Sequence, residues 1–214
     1  MAPPARRDAW LASVHLPQLR RAEQIMAMPA SARKWTVEEV REMQDEDRAW
    51  PRYELIGGEL IVTPSPTVTH QRVIMGVIRL LDGYLAEQRI GELLTSPADL
   101  ELMPGTIVQP DVFVLADSRY KSWREAKSLL LAVEVISPSS RRVDRVTKRR
   151  FFAEVDVAEY WVIDADDRLF ERTRAGDARP EILDQTMEWR PTGTSEPLVI
   201  DIAEFFATVH RDER

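Results

Sequence analysis

Residues 107–115 and 129–136 are two near-continuous apolar runs, each broken by a single acid, Asp111 in the first and Glu134 in the second. Such runs suit central strands covered on both faces, which commits the chain to a layered architecture with a sheet at its centre. The acids raise an energetic problem. An ionised carboxylate buried without a partner is strongly destabilising, so Glu134 calls for a metal, a basic group or a raised pKa beside it. The competing reading, a surface-facing residue on an edge strand, fits poorly with leucines and β-branched residues on both sides. Pro110 precedes Asp111 inside the first run. A proline there removes a ladder donor and marks an edge or a bulge, and a bulge re-aims the next side chain. The alternative is a kink with a solvated Asp. Taken together, two acids on neighbouring core strands make a plausible site for a hard cation.

The rest of the pattern completes an α/β sandwich. Thr36 and Glu39 have capping-box spacing for a helix over 34–48, with Val37, Val40 and Met43 on one face. Residues 52–63 read as a hairpin about Gly57-Gly58. Ile74, Val77, Ile78, Leu81 and Leu85 form the stripe of a longer helix over 67–89, which Gly91 ends. Strands are expected near 92–95, 98–103 and 158–164, through Phe170 and Arg172, and around 180–189 and 197–200. A last helix starts near Asp201 and holds Phe205 and Phe206.

Ser137-Pro138-Ser139-Ser140 caps a helix over about 141–155 that carries Arg141, Arg142, Arg145, Lys148, Arg149 and Arg150. One reading is a solvated face with an Asp144–Lys148 pair one turn apart. The other is a phosphate-binding face, since the N-terminus of this helix follows the Glu134 strand and its free amides favour anions. Two more candidates lie upstream. Glu59 follows the Gly-Gly turn, as a third acid or a hairpin surface residue. His70 opens the long helix, for acid–base work, for phosphate binding or for packing.

A chain of 214 residues suits one sizeable domain, here 34–214, after an N-terminal extension over 1–33. That extension is rich in arginine and lacks the continuous apolar core of a secretory signal. No apolar run approaches the length of a membrane span, and a cytoplasmic location is expected. The absence of cysteine excludes disulfides, zinc-thiolate sites, iron–sulfur clusters and cysteine nucleophiles. With only His15, His70 and His210 besides, a bound metal must rest mainly on carboxylates, which points to Mg²⁺ or Mn²⁺. The formal charge of −7 argues against a surface built to coat nucleic acid throughout, though not against a local basic patch.

These residues resemble a known pattern. Tyr53-Glu54-Leu55-Ile56-Gly57-Gly58-Glu59-Leu60, His70-Gln71-Arg72, Val108-Gln109-Pro110-Asp111-Val112, Val133-Glu134-Val135-Ile136-Ser137-Pro138-Ser139, Asp144 to Lys148, and Glu159-Tyr160-Trp161-Val162-Ile163-Asp164 occur in the order seen in the Uma2 family of restriction-endonuclease-like proteins, within the PD-(D/E)XK nuclease superfamily. The resemblance covers about residues 36 to 207. It implies a restriction-endonuclease-like α/β fold, a four-stranded mixed core sheet flanked by helices. It also implies Asp111 and Glu134 as metal ligands, Glu59 as a further acid, a Mg²⁺-dependent endonuclease acting on nucleic acid, DNA foremost, and a homodimer. The superfamily places a lysine two residues after the acid, where this chain has Ile136; Lys148, from the following helix, is the matching residue. The other reading is a nucleic-acid-binding or regulatory protein that keeps the fold without cutting.

Overall fold

The computed structural model describes residues 33–44, 50–117, 119–155 and 157–210. The extension expected over 1–33 lies outside them except for its last residue, as does the end of the helix expected over 34–48. That helix, α1, covers Val37–Gln44. Its capping box forms as the spacing requires, with the Glu39 amide donating to Thr36 Oγ1 and the Thr36 amide donating back to Glu39. The hairpin pairs β1, Arg52–Ile56, with β2, Glu59–Thr63, about two glycines at positive φ. Next comes α2, Val68–Gln88, whose Thr67 side chain accepts from the His70 amide.

The central sheet holds six strands: β3 (Glu92–Thr95), β4 (Val112–Leu115), β5 (Leu129–Val135), β6 (Glu159–Asp164), β7 (Leu169–Arg174) and β8 (Glu181–Leu183), in that spatial order. All neighbours are antiparallel except β5 and β6. That parallel pair needs a crossover, supplied by a π-helix, Val143–Lys148, running into α3, Arg149–Glu154. A second hairpin, β9 (Thr186–Trp189) with β10 (Leu198–Asp201), leads to α4, Ile202–Val209. The sheet is mixed, as expected, but has six strands rather than four, with β3 and β8 at its edges.

Alternation along β5 sorts the core into two layers. Leu131, Val133 and Val135 pack with Val73, Val77 and Leu81 of α2 and with Trp161, Phe170 and Phe206. Ala132 packs on the opposite face with Phe151, Phe152 and Tyr160. Glu134 has the parity of Ala132, so it points under the crossover helix. The α2–α4 contact depends on Gly76, where an added Cβ would lie 2.8 Å from Phe205 Cε2 and 3.2 Å from Val209 Cγ2. Gly76→Val is therefore expected to destabilise the fold by about 1–3 kcal/mol through overpacking. Gly83→Ala, two turns further along the helix with nothing within 4 Å of its Cβ, should instead be stabilising by up to about 1 kcal/mol from helix propensity. Urea denaturation of the two variants checks both signs.

Two expected strands are shorter in the structure. The run over 107–115 forms a ladder only over Val112–Leu115, while Ile107 and Val108 make single bridges to Leu55 and Leu100. Pro110 has no N–H to give, and the Gln109 amide is drawn off to Glu54 Oε1 at 2.8 Å. The strand expected near 98–103 is reduced to the Leu100–Val108 bridge for want of a longer partner.

Candidate active site

The interruption at Pro110 is what builds the site. Val112 pairs with Val133, so Asp111, one step outside the ladder, lies across from Glu134 on the next strand. Asp111 is fixed from three sides. Its Oδ2 accepts from the Val135 amide at 3.0 Å and faces His70 Nε2 at 3.2 Å, and its Oδ1 faces an Arg52 guanidinium nitrogen at 2.9 Å. His70 is delivered by the first turn of α2 and Arg52 by the first residue of β1. β5 is an interior strand, and Glu134 is 4% exposed, so the edge-strand reading does not hold.

Lys148 completes the arrangement. Its Nζ lies 2.7 Å from Glu134 Oε1, 2.8 Å from Glu54 Oε2 and 3.7 Å from Asp144 Oδ1. The π-helical turn carries both Asp144 and Lys148 to the buried side of the crossover, and π-turns recur at functional sites. The Asp144–Lys148 pair foreseen as an ordinary surface contact is thus buried. Ile136 stands where the resemblance would put a lysine, and Lys148 from the crossover reaches Glu134 instead.

Four buried carboxylates, from Glu54, Asp111, Glu134 and Asp144, face two permanent cations, Arg52 and Lys148. Burial pushes the Glu134 carboxyl well above the usual range; Lys148 opposes that shift, and Asp111, Asp144 and Glu54 add to it. Burial also raises Asp144, against the pull of Lys148. For Lys148 burial works against the charged form, but Glu134, Glu54 and Asp144 outweigh it and hold the ammonium firmly protonated. Burial would raise Asp111 too, yet His70, Arg52 and the Val135 amide overcome it and keep this carboxyl well below the usual range. One lysine shared by three acids leaves the cluster short of positive charge.

Glu59 is not brought to this cluster. It sits exposed at the turn end of the hairpin, paired with Ile56, and makes no ion pair among the described residues. Its neighbour on β1, Glu54, occupies the place beside Lys148. Sequence reasoning passed over Glu54, as it did Arg52. The available signal was an acid between Tyr53 and Leu55 in the run Tyr53–Ile56, the same kind of signal that exposed Glu134. The basic helix also differs from the phosphate-binding reading. Arg141 pairs with Asp164, Asp166 and Asp167, and Arg145 with Asp164 and Glu171, so these two guanidiniums tie the crossover to β6, β7 and the turn between them. Arg142, Arg149 and Arg150 remain as cations outside these pairs.

As the side chains stand, no three carboxylates or imidazoles among the described residues converge on one ion position. The donor chemistry nonetheless fits a hard divalent cation: carboxylate oxygens from adjoining strands, buried together, with Asp111, Asp144 and Glu54 adding to burial in raising Glu134.

A solved structure, a "putative nuclease belonging to DUF820" from Anabaena variabilis, shares the fold with a TM-score of 0.61 at 19% identity, covering 79% of this chain and 98% of its own. No curated protein matches the chain. The Uma2 family, described as "Putative restriction endonuclease", matches residues 37–203, a span that holds Glu54, His70, Asp111, Glu134 and Lys148. By that match, which runs from α1 to the start of α4, the chain belongs to the Uma2 family.

Proposed function

We propose that this protein is a metal-dependent endonuclease that hydrolyses phosphodiester bonds in nucleic acid, with DNA as the substrate. The observation that carries the reading is Lys148 Nζ set between Glu54 and Glu134, with Asp111 across from Glu134 on the next strand. Acids on adjoining strands with a lysine among them are the parts that this hydrolysis needs, and the family's description points the same way.

Asp111 and Glu134 would hold Mg²⁺ or Mn²⁺, with Glu54 rather than Glu59 as the third acid. Bound there, the ion would polarise the scissile phosphate and lower the pKa of a bound water. Lys148 places a fixed positive charge where negative charge develops on the phosphate, and it can orient the attacking water. His70 fixes the Asp111 carboxylate through Nε2, while its buried Nδ1 has no hydrogen-bond partner. Glu54 holds Lys148 on one side, and its other oxygen is anchored by the Gln109 amide. The rival reading, a nucleic-acid-binding protein that does not cut, draws support from one observation: Asp111 and Glu134 each already have a cationic side chain as partner, Arg52 and Lys148.

Incubation of supercoiled plasmid with Mg²⁺ or Mn²⁺ tests the proposal. Nicked and linear products are expected with wild type, and none with EDTA, Asp111→Ala or Glu134→Ala. Equal cleavage by wild type and both variants would assign the activity to a contaminant and overturn the reading. Binding without cleavage across several divalent ions would establish the rival.

A further inference from the structure

We infer that Arg52 is a tethered cation that competes with the divalent ion for Asp111 and so sets how tightly the site takes metal. The inference rests on the metal site proposed above.

Oδ2 of Asp111 already faces two donors, so the open position on this carboxylate is on Oδ1, the oxygen that Arg52 holds. The Val135 amide belongs to β5 and is held by the sheet. His70 is held at the start of α2, where its own amide is bonded to Thr67. Arg52 is different. It is a long side chain on the two-stranded hairpin, outside the six-stranded sheet, and its guanidinium is attached to Asp111 through one terminal nitrogen at 2.9 Å. Its Nε is buried with no hydrogen-bond partner, so its hydrogen-bonding capacity is only partly used where it stands. The Trp50 ring lies 4.5 Å from the guanidinium carbon and offers it a face without binding it to Asp111.

Charge decides the direction of the effect. A guanidinium on a carboxylate and a divalent ion on the same carboxylate are like charges in contact. While it stays on Asp111 it repels that ion, and when it swings away the ion takes its place as the counter-charge. A group that, behind His70, helps compensate Asp111 in the metal-free protein thus weakens metal binding. Lys148 plays the matching part for Glu54 and Glu134 but makes no ion pair with Asp111 among the described residues.

Calorimetric titration of the full-length protein with Mn²⁺ tests this without recourse to activity. Arg52→Gln keeps a hydrogen-bonding side chain and removes the charge. It is expected to bind Mn²⁺ about tenfold or more tightly than wild type, within the usual range for coupled sites. Arg52→Lys keeps the charge and is expected to stay with wild type. Equal or weaker binding by Arg52→Gln overturns the role of Arg52 while leaving the metal site intact. No binding by wild type or either variant at millimolar Mn²⁺ overturns the metal site and this inference with it. Should Arg52→Gln fail to fold, the wild-type protein decides the matter. Its Arg52 Nε–H resonance is expected to shift on saturation with Mg²⁺, and an unmoved resonance at saturation overturns the competition.

Discussion

Replacing Lys148 with methionine is expected to destabilise the metal-free fold by about 3–5 kcal/mol, the usual cost of removing one partner from a buried ion pair, and to abolish cleavage. The size follows from the number of acids this one cation serves. Glu134 and Glu54 lie within 2.8 Å of Nζ and Asp144 within 3.7 Å, all at 5% side-chain exposure or less. Methionine has nearly the same volume and fills the space, so a cavity contributes little, and the loss is electrostatic. Urea denaturation in EDTA measures the stability, and plasmid cleavage with Mg²⁺ measures the function. The triple variant Lys148→Met, Glu54→Gln, Glu134→Gln separates the two roles. It removes the lysine together with the two acids nearest it and leaves only the more distant Asp144 without its partner, so most of the lost stability should return, whereas cleavage should not. If Lys148→Met is as stable as wild type, the buried cluster is not held by this ion pairing. If it cuts at the wild-type rate, Lys148 has no part in the chemistry.

What could be read from the sequence, and what could not, divides by the range of the interactions. Glu134 and Asp111 stood out because their apolar neighbours force burial, and burial forces a partner; that inference needs only nearest neighbours along the chain. The α2 stripe and the β5 run were legible for the same reason. The truncation of the 107–115 strand was half visible, since Pro110 announces a missing donor, but the capture of the Gln109 amide by Glu54 joins residues 55 positions apart. The fate of the basic helix was not visible at all. Arg141 and Arg145 look like a phosphate-binding face until β6 and β7 bring Asp164 and Glu171 beneath them. The π-helical turn was equally hidden, because the composition of residues 143–148 does not distinguish one helical hydrogen-bond pattern from another.

The choice between Glu54 and Glu59 shows the limit most sharply, and it yields the second large effect. Hairpin register pairs Glu54 with Ile61 and Glu59 with Ile56, and residues directly across an antiparallel ladder share a face. Both acids therefore have the same parity, and alternation could not select between them. Depth along the hairpin does. Glu59 adjoins the Gly57-Gly58 turn and is exposed, whereas Glu54 sits where the Gln109 amide and Lys148 close over it. Glu54→Gln should keep the bond from the Gln109 amide, through its carbonyl oxygen, but loosen Lys148. A displacement of about 1 Å in a catalytic group costs about 100-fold in rate, so cleavage by Glu54→Gln should fall by at least that much. Glu59→Gln should cut at the wild-type rate, with stability unchanged to within about 0.5 kcal/mol, as for most surface substitutions. Single-turnover cleavage assays on the two variants give the comparison directly. The reverse ranking, with Glu59→Gln inactive and Glu54→Gln active, would mean that the hairpin turn closes over the site when nucleic acid binds and that the third acid comes from there.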